Sequence, residues 1–266
     1  MMKITALVEN TSNCGWDTVH GLSLYIETPK HKLLFDVGPD DTIFKNAELA
    51  GVDLAAVDTL IISHGHSDHG GALKKFLDIN HRAKVYIQRS AFDMHYIKIL
   101  GIIKFSGSLD RSVKDHPQVV LLDGDCRIDE ELLLFTTPDI SRFPSPANSA
   151  MYDDNGPDTF GHEHNLIIFG GEKNTLIMGC GHAGVVNILD RAAEYSPKLC
   201  VGGYHLFNPT TLQSAPETLL HGIAGELNKK EMTFYTCHCT GKKVFSYLTK
   251  NVRNMRYLAC GDCIEA

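Results

Sequence analysis

The segment Val57-Asp58-Thr59-Leu60-Ile61-Ile62-Ser63 runs directly into His64-Gly65-His66-Ser67-Asp68-His69, and this junction constrains the chain more than any other feature. Its continuous apolar run is too short for a globular helix and reads as a strand buried on both faces. Buried strands of this kind belong to sheets covered by helices, so an α/β fold is expected. In such folds, sites form in the loops at the carboxyl ends of the strands. Three imidazoles and a carboxylate at such a place signal a metal site, because nitrogen with carboxylate oxygen suits zinc first, with iron or manganese as alternatives. In a turn leaving a strand, His64 and His66 can point one way while Asp68 and His69 project from the other side of the bend. One loop can then feed two adjacent ions. Gly65, Gly70 and Gly71 allow the backbone to fold tightly around them.

The flanking pattern supports an alternating fold. Strands are expected at Lys3 to Glu9, Leu22 to Thr28 and Lys32 to Asp36, and a helix from Asp40 to Ala50 is closed by Gly51. Beyond the cluster a helix covers Gly71 to Asp78 and a strand Ala83 to Gln88. Pro138, Pro144, Pro146 and Pro157 accompany a stretch without periodicity, Asp139 to Gly161, expected to be a long loop over the active site. Asn165 to Phe169 and Thr175 to Met178 read as a hairpin joined through residues 170–174. Then follow a helix from Val185 to Tyr195, a strand from Lys198 to Gly202, a helix from Pro216 to Leu227 and a strand from Met232 to Cys237. A helix from Lys242 to Leu248 and a last strand from Arg256 to Ala259 complete the series. No linker or repeat divides the chain, so residues 1–266 are expected to form a single domain.

Composition narrows the function classes. A formal net charge of -7 offers no basic stripe for phosphate neutralisation, which argues against nucleic acid. The amino terminus meets polar and acidic residues too early for a secretory signal, and no apolar stretch approaches the ~20 residues of a spanning helix. A cytoplasmic protein with no membrane partner is expected. Its eight cysteines, at 14, 126, 180, 200, 237, 239, 260 and 263, are dispersed as buried thiols and possible ligands rather than as a disulfide framework. Cys260-Gly261-Asp262-Cys263 could pair with Cys237 and Cys239 as a zinc ribbon, but the Cys-x-Cys half-site is poorly spaced, and buried free thiols are the expectation.

Leu34-Phe35-Asp36-Val37-Gly38 followed by Ser63-His64-Gly65-His66-Ser67-Asp68-His69-Gly70-Gly71 resembles the metallo-β-lactamase superfamily. The resemblance implies a four-layer αβ/βα sandwich of two mixed sheets with outer helices. Glu9-Asn10-Thr11, Gly21-Leu22-Ser23, Gly179-Cys180-Gly181-His182-Ala183-Gly184, Gly202-Gly203-Tyr204-His205-Leu206 and His238-Cys239-Thr240-Gly241 extend it. They are similar to one branch, the dihydropterin ribofuranosylaminobenzene phosphate synthases of the methanopterin pathway and their relatives.

Two ions need about six protein ligands, and the cluster supplies four. The chain departs from the family pattern after Thr175 to Met178, and His182 is expected to join His64 and His66 on one ion; His238, which follows its strand as the family's last ligand does, is expected to join Asp68 and His69 on the other. Where the family usually has Gly-Asp the chain reads Gly179-Cys180, so Cys180 is either a soft ligand or a buried neighbour. His205 takes the place of a proton donor or an alternative ligand, and it could exchange roles with His238. His164 is expected to be solvated or to stand behind the ligands. The implied activity is hydrolysis of a small-molecule ester, phosphoester or lactone, with Asp68 orienting the attacking water and His205 protonating the leaving group. One alternative is a condensing synthase acting on a pterin phosphate with the same metals, and another is a metal-binding sensor without turnover. Diiron oxygen or nitric oxide reductases of this fold carry Glu at the place of His66 and an attached flavin module, and the chain has neither. Arg142 is a candidate contact for a phosphorylated substrate. Oligomeric state leaves no readable mark.

Overall fold

The structure, a computed structural model, describes residues 2–99, 103–171, 173–209 and 211–266. In chain order come β1 (Lys3–Val8), β2 (Ser23–Glu27), β3 (Lys32–Phe35), α1 (Thr42–Ala50), β4 (Thr59–Ile61), the single turn α2 (Ser67–Gly70), α3 (Leu73–Ile79) and β5 (Lys84–Gln88). Then follow β6 (His95–Ile99), β7 (Ile103–Ser106), β8 (Val119–Leu122), β9 (Cys126–Arg127), β10 (Leu132–Thr136), β11 (Met151–Asp153), β12 (Gly156–Pro157), β13 (His164–Ile168) and β14 (Asn174–Ile177). The remainder is α4 (Val185–Arg191), β15 (Pro197–Gly202), β16 (Phe207–Asn208), β17 (Gln213–Ser214), α5 (Glu217–Leu227), β18 (Thr233–Thr236), α6 (Lys242–Asn251), β19 (Met255–Tyr257) and β20 (Cys263–Glu265). The chain divides into two compact units, Met1–His95 with Ser106–Gly124 and Leu258–Ala266, and Tyr96–Phe105 with Asp125–Tyr257.

The first unit is built on a seven-stranded mixed sheet in the order β20-β1-β2-β3-β4-β5-β8. β1, β2, β3 and β20 pair antiparallel, whereas β3, β4, β5 and β8 run parallel. Parallel neighbours need crossovers, and α1 and α3 supply two of them. They pack Ile43, Ala47, Leu73, Phe76 and Leu77 into a core with Leu34, Leu60, Ile62, Val85 and Ile87. All three residues of β4 are buried, as its continuous apolar run requires.

The second unit carries another seven-stranded mixed sheet, β19-β18-β15-β14-β13-β10-β9. The expected hairpin is present as antiparallel β13 and β14; of its connection, Glu172 lies outside the described residues. From β14 onward the strands are parallel, with α4, α5 and α6 as crossovers. Their apolar faces, Val185, Ile188, Leu189, Leu220, Ile223, Leu227, Val244 and Leu248, meet Leu176, Cys200 and Phe234 of the sheet. β6, β7, β11 and β12 form a four-stranded sheet and β16 and β17 a short ribbon.

Two expectations are corrected. The stretch Asp139 to Gly161 is not structureless: it holds a 3-10 turn at Pro146–Ala150 and the strands β11 and β12. Pro146 opens the turn and Pro157 closes β12, and elements of two to five residues carry no readable period. The strand Arg256 to Ala259 is also not the last, because β20 follows it and pairs with β1 through Lys3↔Glu265 and Ile4↔Ile264. Three residues after a glycine turn are too few to show alternation.

Candidate metal centre

In the first unit the cluster leaves the carboxyl end of β4, with β3 as a parallel neighbour. The imidazoles gather there: ring centroids of His64 and His66 are 4.6 Å apart and those of His64 and His69 4.2 Å. Asp68 and His69 lie on the turn of α2, with Asp68 Oδ2 3.8 Å from His69 Nε2. A Cβ at Gly65 would sit 2.5 Å from His95 Nε2 and 2.6 Å from Ala91 O, so the glycine is required for close approach and not for a left-handed backbone.

Asp36, one residue beyond β3, organises these rings from behind. It is fully buried at φ +64°, a backbone region that aspartate tolerates better than most residues. Its Oδ1 accepts the Ser63 N–H at 2.7 Å, and its Oδ2 accepts the Ser63 hydroxyl at 2.8 Å and His69 Nδ1 at 2.7 Å. The single Ser63 proton is thus spent on Asp36. His64 Nδ1, 2.8 Å from Ser63 Oγ, must therefore be the donor in that contact. Both His64 and His69 are held as Nδ1–H tautomers with the lone pair on Nε2, the arrangement by which carboxylates and hydroxyls prepare metal-binding histidines. His20 adds a contact from outside, its Nε2 3.4 Å from Asp68 Oδ2. The donors of His66 and His95 come within 4.8 Å of one another.

In the second unit the candidate donors sit at the carboxyl ends of three adjacent parallel strands. Ile177, Val201 and Tyr235 form one aligned row across β14, β15 and β18. Cys180 lies three residues past it, His205 four and His238 three. All are buried. One donor atom each from Cys180, His182 and His205 lies within 4.8 Å of the others, and Cys180 and His238 come equally close. The backbone N–H groups of His182 and Ala183 donate to the two oxygens of Glu163 at 2.8 and 2.9 Å. Burial pushes the Glu163 carboxyl up to about 7, against the pull of those two N–H groups.

The donors fit a transition metal. His205 is 4 % exposed, and neither of its ring nitrogens meets a hydrogen-bond partner, a costly state for a buried imidazole unless an ion or ligand satisfies it. Neutral imidazole, carboxylate and thiol together suit zinc or a similar borderline ion rather than magnesium or calcium.

Asp36, Ser63, His20, His95, Glu163 and Asn148 are neighbours to which sequence reasoning gave no role. Asp36 and Ser63 stood within the recognised motifs; the others carried no local signal. His164 is fully buried on β13 rather than solvated. Arg142 is not offered to a substrate: its guanidinium is paired with Asp190, and with Glu226 at 2.9 Å. Cys260 is spent in the core, receiving Asn46 Nδ2 at 3.3 Å and reaching Leu7 O at 3.2 Å, while Cys263 is exposed. No helix among the described residues is long and apolar enough to cross a membrane.

Histidines backed by a buried carboxylate at the carboxyl ends of parallel strands are groups able to hold metal ions in an α/β fold. Residues 16–192 match the metallo-beta-lactamase superfamily, and the chain belongs to it. Over 99 % of both chains it is 25 % identical to uncharacterized protein MJ0448 of Methanocaldococcus jannaschii. It is 24 % identical to the 7,8-dihydropterin-6-methyl-4-(beta-D-ribofuranosyl)-aminobenzene-5'-phosphate synthase of the same organism, covering 91 % of this chain and 88 % of that one. Among solved structures, Tm1679, a metal-dependent hydrolase of the beta-lactamase superfamily, is similar with a TM-score of 0.83 and 25 % identity, over 100 % of this chain and 99 % of that one. The fold expected from the motifs is the fold found.

Proposed function

We propose that this protein is a metal-dependent hydrolase of a small-molecule ester, phosphoester or lactone. Its ligands for divalent ions, zinc foremost, include His64, His66, Asp68 and His69 within the first unit and His182 and His238 within the second. The observation that carries this reading is the preparation of the cluster: Asp36 and Ser63 fix His69 and His64 as tautomers with Nε2 lone pairs. A merely solvated histidine loop has no use for a buried carboxylate beneath it. When bound, such ions polarise the bond under attack and acidify a water towards neutrality. Asp68, a quarter exposed and steadied by His20, binds metal and orients the attacking water. The likeness to Tm1679 along the whole chain supports hydrolysis.

A second reading, a condensation on a pterin phosphate, is favoured by the likeness to the synthase. It would use the same metal ions to hold phosphate. The test is an assay of metal-loaded protein on phosphodiesters, lactones, thioesters and pterin precursors, beside His66→Ala. Hydrolysis that disappears in folded His66→Ala supports the first reading. Product formation from pterin precursors alone moves the assignment to the synthase, and turnover that survives removal of metal overturns both.

A further inference from the structure

His205 is held as if to present its ring. Its backbone lies at φ +45°, a conformation that persists in a non-glycine residue only when the surroundings impose it. Both sides of that residue are tied: its N–H donates to Cys239 Sγ at 3.3 Å, and its carbonyl accepts from the Ser145 hydroxyl. The ring itself is buried, and its nitrogens meet no hydrogen-bond partner. The His182 ring lies beside it, centroids 4.1 Å apart. Asn148 Nδ2 donates to the His182 carbonyl at 2.9 Å, which turns Asn148 Oδ1 towards His182 Nδ1 at 3.2 Å. His182 is thereby an Nδ1–H tautomer with its lone pair on Nε2, and Phe160 stacks flat on it at 4.5 Å. The Cys180 carbonyl accepts from the same Cys239 thiol at 3.4 Å, so one side chain ties the backbones of Cys180 and His205.

From this geometry we infer that Cys180, His182 and His205 together ligate one zinc-like ion, a sulfur and two nitrogens within the second unit. The three donor atoms are mutually within 4.8 Å, which an ion at ordinary Zn–S and Zn–N distances can bridge. The sulfur selects zinc or cobalt over magnesium, calcium or manganese. Three protein ligands leave a position open for a water or a substrate atom. His205, expected to be either a proton donor or an alternative ligand, takes the second role, and Cys239 is the residue that positions it. The assignment rests on the proposed metal dependence but adds ligands to it.

The test uses the full chain, stripped with a chelator and titrated with Co2+. The expected result is a thiolate-to-cobalt charge-transfer band that is absent in Cys180→Ser. In His205→Asn, chosen because asparagine tolerates the left-handed backbone, Co2+ affinity should fall by more than roughly tenfold with the band shifted or lost. An unchanged band and affinity in His205→Asn would overturn the site, as would a band that survives Cys180→Ser. X-ray absorption of the zinc-loaded wild-type chain needs no variant: a sulfur neighbour near about 2.3 Å is expected, and a shell of nitrogen and oxygen alone overturns the site. The outcomes separate the two claims. Turnover lost in His66→Ala beside a sulfur-free shell leaves the hydrolase and removes this site. A sulfur-containing shell in a chain without turnover leaves this site and removes the hydrolase.

Discussion

Asp36 accepts three hydrogen bonds from groups 27 and 33 residues away, and its position decides which nitrogen of His69 faces outward. Asp36→Asn tests this with almost no change in volume. The amide keeps an acceptor for the Ser63 N–H but turns a donor towards His69 Nδ1 and Ser63 Oγ, so the tautomer that presents Nε2 loses its support. Removing such an outer partner costs roughly 10–100-fold in metal affinity. Chelator competition should register a loss of this order in a chain that stays folded, and unchanged affinity would show that Asp36 serves packing alone. The pairing of Arg142 with Asp190 and Glu226 is a contrasting case. A lone cation in a loop looked like a substrate contact until two helices supplied its acids.

The parallel strands β14, β15 and β18 bring residues from three separate loops to one level, because the shared register of Ile177, Val201 and Tyr235 carries each chain out of the sheet at the same height. The turn after β15 must then pass close to the turn after β18. A Cβ at Gly203 would stand 2.5 Å from Cys239 Sγ and 3.1 Å from Gly179 O. Gly203→Ala should therefore destabilise the chain by about 1–3 kcal/mol, the range for overpacking. Cys239→Ala in the same chain should recover part of that loss, since it removes the nearer clash. Denaturant unfolding of the two single variants and the double variant measures the coupling, and strictly additive effects would contradict this contact.

Each unit has its own sheet, its own core and its own set of donors, so bound metal should contribute to stability as well as to chemistry. A ligand at about 100 times its Kd stabilises by roughly 2.7 kcal/mol. Stripping the chain with a chelator should lower Tm measurably, and zinc or cobalt should restore it where magnesium does not. Equal restoration by magnesium would argue against donors rich in imidazole and thiol.

Much of this was legible along the chain because it depends on neighbours. The buried strand β4, the crossover helices and the cluster His64 to His69 all come from patterns a few residues long, whose periods follow from helix and strand geometry. Asp36 lay within a legible motif without a legible task, since nothing local says that a carboxylate will meet a ring 33 residues later. β20 and the short pieces within Asp139 to Gly161 escaped for want of length. The sequence by itself determined the α/β class, the family and which side chains are capable of holding metal. Only the tertiary structure decided which nitrogen His64, His69 and His182 present, that Arg142 is occupied, and that Cys180, His182 and His205 meet. These are settled by sheet register and by hydrogen bonds between residues far apart in the chain, and neither is written in any local pattern.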